Sequence, residues 1–102
     1  MSKNPKILFI CSFGEIRSPA AANYFGGEYL VKGISGSSSK LIRRMCEKAD
    51  KIYVFEAFHI WFLEREYPEF MHKVSSLNVE DIYPNRYDPE LRKILHLRWS
   101  ER

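Results

Sequence analysis

Apolar residues fall in short separate runs along this chain, and stretches of helical spacing lie between them. From Ile7 to Cys11 the residues are continuously apolar, which predicts a strand buried on both faces. Ser12 to Ser18 breaks that pattern. Ser18-Pro19 then predicts a helix start, with Ser18 as N-cap and Pro19 at the first helical position. The helix runs from Ala20 to Phe25, and Gly26-Gly27 ends it. Tyr29 to Ile34 has strand character, and 35–39 forms a small polar loop able to cap the next helix. That helix spans Leu41 to Ala49, with Leu41, Ile42, Met45 and Ala49 near one face. Lys51 to Phe55 is a second clear strand. Ala57 to Tyr67 has helical periodicity until Pro68 stops it. Lys73 to Val79 is a weaker strand candidate. Glu80 to Tyr87 reads as a loop, and Asp88-Pro89 opens a last helix from Glu90 to about Leu97.

Strands alternating with helices predict an α/β domain. Its right-handed crossovers place helices on both faces of a parallel sheet. The length of 102 residues suits a single domain over 1–102, without repeat or linker. A hydrophobic share of 45% excludes a disordered chain. Sixteen Lys and Arg against thirteen Asp and Glu leave a net charge of +3. The cations are dispersed, so nucleic acid is not an expected partner. Arg92, Lys93, Arg98 and Arg102 enrich the tail and read as a solvated helix face. No stretch approaches the roughly 20 apolar residues of a spanning helix, and the opening run is too short for a signal peptide. The expectation is a cytoplasmic protein without a membrane partner. Cys11 and Cys46 make neither a disulfide scaffold nor, with His59, His72 and His96, a metal-ligand spacing. Cys46 reads as a buried small hydrophobe.

The chemistry concentrates in Cys11-Ser-Phe-Gly-Glu-Ile-Arg17-Ser18. Successive backbone N–H groups in a tight loop form an anion cradle, and a helix N-terminus adds partial positive charge. Arg17 adds a bidentate grip on phosphate oxygens. These surroundings favour the thiolate form of a cysteine at the start of the loop, and a thiolate beside a held phosphate can attack phosphorus. Ser18 can donate a hydrogen bond to that thiolate. Ser12, Phe13, Gly14, Glu15, Ile16, Arg17 and Ser18 are therefore the expected phosphate-binding residues. Phe13 and Tyr87 are candidate pocket walls, while Phe58, Trp61 and Phe62 read as core or interface.

A cysteine, five residues and Arg-Ser resemble the signature loop of cysteine-dependent phosphatases. Its place after the first strand narrows the resemblance to the low-molecular-weight protein tyrosine phosphatases. Ser18-Pro19-Ala20, the run from Ala49 to Glu56, and Tyr87-Asp88-Pro89-Glu90-Leu91 agree with that family over about residues 6–97. The resemblance implies a three-layer α/β/α fold with a four-stranded parallel sheet in order 2-1-3-4. It also implies a two-step phosphomonoester hydrolysis. Cys11 forms a cysteinyl-phosphate, Arg17 holds the oxygens, Asp88 is the general acid, and no metal or other cofactor takes part. Asp81 is the rival acid. The implied partner is a phosphorylated protein or small molecule, and the implied assembly is a monomer or weak dimer.

The chain departs from the family at four places. Gly14 stands where asparagine is frequent, and Glu15 brings a negative charge to the loop. Ile16 replaces a second cysteine. Glu90-Leu91 replace the aromatics that follow the Asp-Pro of full-length members. These departures keep other readings open: a cysteine phosphoryl carrier like the cellobiose-type B component of sugar transport, and a non-catalytic relative that only binds an anion or a protein. An arsenate reductase of related fold would need more cysteines than Cys46 supplies.

Overall fold

The structure, a computed structural model, describes residues 4–102. Ten elements follow in chain order: β1 (Ile7–Phe9), α1 (Arg17–Phe25), β2 (Glu28–Tyr29), α2 (Gly33–Gly36), α3 (Ser39–Lys48), β3 (Lys51–Val54), α4 (Ala57–Glu66), a 3-10 helix (Pro68–Lys73), β4 (Val74–Ser76) and α5 (Pro89–Glu101). The four strands form one parallel sheet in the order β2-β1-β3-β4. Leu8 lies between Glu28 and Ile52, and Phe9 between Tyr29 and Tyr53.

The continuous apolar run of β1 is explained by two cores, one on each face of the sheet. Leu8 and Ile10 point to one side and pack with Ile42, Cys46, Ile52, Val54 and Leu63 beneath α3 and α4. Phe9 and Cys11 point to the other, with Ala20, Ala21, Phe55, Leu91 and Leu95 from the α1 and α5 side. Full burial of one such aliphatic side chain is worth roughly 1.5–3 kcal/mol, so neither face tolerates a polar register.

Several boundaries differ from the sequence expectation. Helix α1 begins at Arg17, and its N-cap, Ile16, makes no side-chain cap bond. Ser18 is not the cap, because its hydroxyl is already engaged with the Cys11 sulfur. The strand expected over Tyr29 to Ile34 ends at Tyr29. Gly33, at φ 62°, turns the chain into α2, whose N–H groups meet the Cys11 loop. Strand β4 is confined to Val74–Ser76, because the preceding residues wind into the 3-10 helix. Helix α5 runs on to Glu101, where Trp99 stacks on Phe25 at 4.4 Å. Ser38 caps α3 and Asp88 caps α5, accepting from Glu90 N at 2.8 Å.

Candidate active site

Strand β1 delivers Cys11 at its carboxyl end, in a loop that turns back into α1. Cys11 is nearly buried. Its sulfur lies 3.0 Å from the Ser18 hydroxyl and accepts from Gly14 N at 3.3 Å. The carbonyls of Cys11 and Ser12 accept from Ile34 N and Ser35 N at 3.1 and 3.0 Å. In a trans peptide the C=O and the following N–H point in opposite directions. Fixing those two carbonyls on α2 therefore turns the N–H groups of Ser12 and Phe13 the other way, into the loop.

Two glycines allow this close approach. Gly14 has φ 71°, and a Cβ there would fall 2.2 Å from the Val31 carbonyl oxygen and 2.4 Å from that of Leu30. A Cβ on Gly33 would meet the Ser12 carbonyl at 2.4 Å. Backbone packs on backbone at both points, without a side chain between.

His59, fully buried, supports the loop from α4. Its Nδ1 accepts from Phe55 N and Glu56 N, both at 3.2 Å. Amides only donate, so Nδ1 is unprotonated and Nε2–H donates to the Ser12 hydroxyl at 3.0 Å. Burial, helped by the Arg17 charge, pushes the His59 pKa down from 6.5 to about 4. Neutral imidazole is thus the bonding form. The sequence reading assigned His59 no role, although its place three residues after Glu56, at a strand exit, is a capping-box spacing.

Arg17 is only 2% exposed. One guanidinium nitrogen donates to the Val79 carbonyl at 2.8 Å and lies 3.1 Å from Glu56 Oε1. The other stands 3.8 Å from Asp81 Oδ2, and the group sits 5.8 Å from the centre of the Phe55 ring. A buried cation needs such partners. Glu56 and Val79 were also missed, because only folding brings the ends of β3 and β4 beside α1.

Cys11, Ser12, Phe13, Glu15, Ile16, Arg17 and Asp81 line a small cleft of about 30 Å³. Ser18 lies behind it, fully buried. Larger cavities of about 300, 420 and 360 Å³ lie elsewhere, and no cysteine lines them. Asp88 is at the cap of α5, and Asp81 is the carboxylate that lines the cleft on that side. Arg86, two residues before Asp88, donates to the Glu15 carbonyl at 3.0 Å and ties this segment to the loop. Tyr87 is 78% exposed and faces the neighbouring cavity with Pro19, Asn23 and Tyr29, so it is not a wall of the cleft. Phe58 and Trp61 are exposed rather than core, because they lie on the side of α4 away from His59 and Leu63. Phe62 is half-buried against the core. Cys46 lies in the opposite core, where burial raises its thiol to about 11.

No protein-family model and no curated protein matches the chain by sequence. Solved structures do match it by fold. The tyrosine phosphatase Wzb from Escherichia coli K30, in complex with phosphate, aligns with a TM-score of 0.71 at 18% identity, covering 97% of this chain and 98% of that one. The fold is that of the low-molecular-weight tyrosine phosphatases. Two further structures with this phosphatase fold agree. The Erwinia amylovora tyrosine phosphatase AmsI gives a TM-score of 0.63 at 18% identity over 98% of this chain and 93% of that one. The YwlE arginine phosphatase from Geobacillus stearothermophilus gives 0.60 at 19% over 96% and 92%. At such identities the likeness speaks for the low-molecular-weight phosphatase architecture, and the chemistry rests on this chain's own side chains.

Proposed function

We propose that the protein is a cysteine-dependent phosphomonoester hydrolase. The observation that carries this reading is the Cys11 sulfur, held between the Ser18 hydroxyl and the Gly14 amide in a cleft that Arg17 also lines. The phosphoryl group binds against the loop amides and Arg17. The Cys11 thiolate attacks phosphorus, an S–P bond forms, and the O–P bond to the leaving group breaks with its electron pair on oxygen. A carboxylic acid on the segment from Asp81 to Asp88 gives that oxygen a proton. Water then attacks phosphorus and passes its proton to the same carboxylate. The S–P bond breaks, and inorganic phosphate and the thiolate are regenerated. The Ser18 hydroxyl stabilises sulfur as nucleophile and as leaving group, and Arg17 with the loop amides carries the charge on the equatorial oxygens. No metal or other cofactor enters these steps.

We assign the proton to Asp88. Asp81 is already ion-paired with Arg17, whereas Asp88, which caps α5 through one carboxylate oxygen, carries no ion pair among the described residues and sits on the segment that Arg86 draws to the loop. Asp81 remains the rival because it lines the cleft. The substrate is a phosphorylated protein or small molecule, met in the cytoplasm by a single-domain monomer or weak dimer. Among the described residues no helix is long and apolar enough to cross a membrane.

Hydrolysis of p-nitrophenyl phosphate tests the assignment. Wild type is expected to turn over, and Cys11→Ser to lose at least about a thousandfold in kcat. Asp88→Asn should slow alkyl phosphates more than p-nitrophenyl phosphate, whose leaving group needs little protonation; the same selective loss in Asp81→Asn instead would move the acid to Asp81. Activity that survives Cys11→Ser sinks the mechanism. Phosphate binding without turnover in the wild type selects a second reading, an anion-binding relative. That reading is favoured by the engagement of Arg17 with Glu56 and the Val79 carbonyl.

A further inference from the structure

Carboxylates around the cleft offset the charge that would hold an isolated phosphate. Arg17, the one cation lining the cleft among the described residues, is buried and held by Glu56 and the Val79 carbonyl. Glu15 and Asp81 line the same cleft, and among the described residues no second cation does. Two carboxylates, Glu56 and Asp81, therefore engage the one guanidinium before substrate or thiolate is counted, and Glu15 adds a third to the lining of the cleft. Arg86 adds a second cation beside the cleft, donating to the main-chain carbonyl of Glu15 while lining the neighbouring cavity. Glu56 and Asp81 are committed to Arg17. Glu15 is exposed and has no ion pair among the described residues.

A phosphoryl dianion entering alone meets an Arg17 charge already offset by Glu56 and Asp81. One that arrives beside a positive charge is drawn to Glu15, over a range set by the screening length of about 8–10 Å. We propose that Glu15 selects phosphorylated peptides that carry lysine or arginine next to the phosphorylated residue. Two exposed apolar side chains lie close by: Phe13, which lines the cleft with Glu15, and Ile82, next to Asp81 in the chain. They suit the aliphatic stems of lysine and arginine, and the Phe13 ring also offers a face to the cation. A peptide gains from this arrangement twice, through charge and through the covered stem. A flanking glutamate gains nothing and adds repulsion.

This inference rests on the phosphatase reading, and the test separates the two. Three phosphotyrosine peptides, identical except for flanking Lys, Ala or Glu pairs, are compared with p-nitrophenyl phosphate. Expected kcat/KM falls in the order Lys, Ala, Glu, with steps of about three- to tenfold at low salt that shrink at about 0.5 M salt. In Glu15→Gln the ratio between the Lys and Glu peptides should fall by at least about threefold, whatever happens to the absolute rate. Affinities for the Cys11→Ser protein, measured by calorimetry, should follow the same order, so the preference is tested even without turnover. Hydrolysis of p-nitrophenyl phosphate with equal treatment of the peptides overturns the inference and leaves the phosphatase reading intact. A Lys preference that Glu15→Gln leaves unchanged also overturns it. Ordered affinities without any turnover would uphold the inference and end the phosphatase reading.

Discussion

At the residue scale the loop depends on atoms that are absent. Gly14 occupies a left-handed conformation that asparagine also tolerates, and its N–H reaches the Cys11 sulfur. Backbone angle alone would therefore admit the asparagine that the related family often carries. Space forbids it, because the added Cβ would meet two main-chain oxygens at 2.2 and 2.4 Å. Gly14→Asn should lose phosphate binding and at least about 2 kcal/mol of stability, read by calorimetry and urea unfolding. A variant that binds phosphate as well as wild type would show that Leu30 and Val31 yield easily. His59 makes a second prediction, through pH. Its folded pKa of about 4 lies below the ordinary 6.5. Between those values the unfolded chain binds a proton that the folded chain refuses. Stability should thus be full above pH 6.5 and fall as pH drops toward 4, by up to about 3 kcal/mol. Urea midpoints measured from pH 4.5 to 7 should show this slope, and His59→Asn should remove most of it.

At the element scale the runs from Ile7 to Cys11 and Lys51 to Phe55 were legible because both faces of their strands are buried, which leaves little room for a polar residue. Strand β2 and the turn α2 were not legible. Their boundary is set by Gly33 meeting the Ser12 carbonyl, a contact between segments about twenty residues apart. Lys73 was equally opaque. Local pattern suggests the start of a strand there, yet its ammonium donates to the carbonyls of Cys46, Glu47 and Ala49 at 2.9, 3.3 and 2.8 Å. Those groups end α3 without helical partners, so one side chain both caps α3 and ties it to the 3-10 helix. Lys73→Met should keep the aliphatic stem and lose the cap, at a cost of about 1–2 kcal/mol. Amide exchange should quicken first in the last turn of α3. Uniform quickening across the sheet instead would mean that Lys73 acts on global stability and not on the cap.

At the scale of the whole molecule, two cores share one thin sheet, and the Cys11 loop sits where they meet. Cys11 belongs to the core on the α1 and α5 side, while its neighbour Ser12 is bonded to His59 of α4 on the other. Either layer can therefore disturb the loop. Trp99 closes the first layer: it stacks on Phe25 at 4.4 Å and approaches Tyr53 and Phe9 at 5.0 and 5.8 Å. Trp99→Ala should cost about 3 kcal/mol, and the loss should appear in thermal unfolding as one cooperative transition at lower temperature. A separate early transition confined to α5 would instead show that the last turns of the helix fold independently.

Local pattern was enough for the alternation of strands and helices, the layers that such alternation requires, and a loop that leaves a strand at Cys11 and enters a helix at Arg17-Ser18. Those features are local: each rests on periodicity, on glycine and proline, or on the order of residues within one loop. Tertiary structure decided which groups hold that loop in shape. Glu56 and Val79 on Arg17, His59 on Ser12, and Ile34 and Ser35 on the loop carbonyls come from segments that meet only when the sheet assembles. It also decided the sign of the rim, because Glu15 and Asp81 lie 66 positions apart in the chain and line one cleft only after folding. Charge is additive along a sequence, but its field depends on distance, and the fold sets the distances.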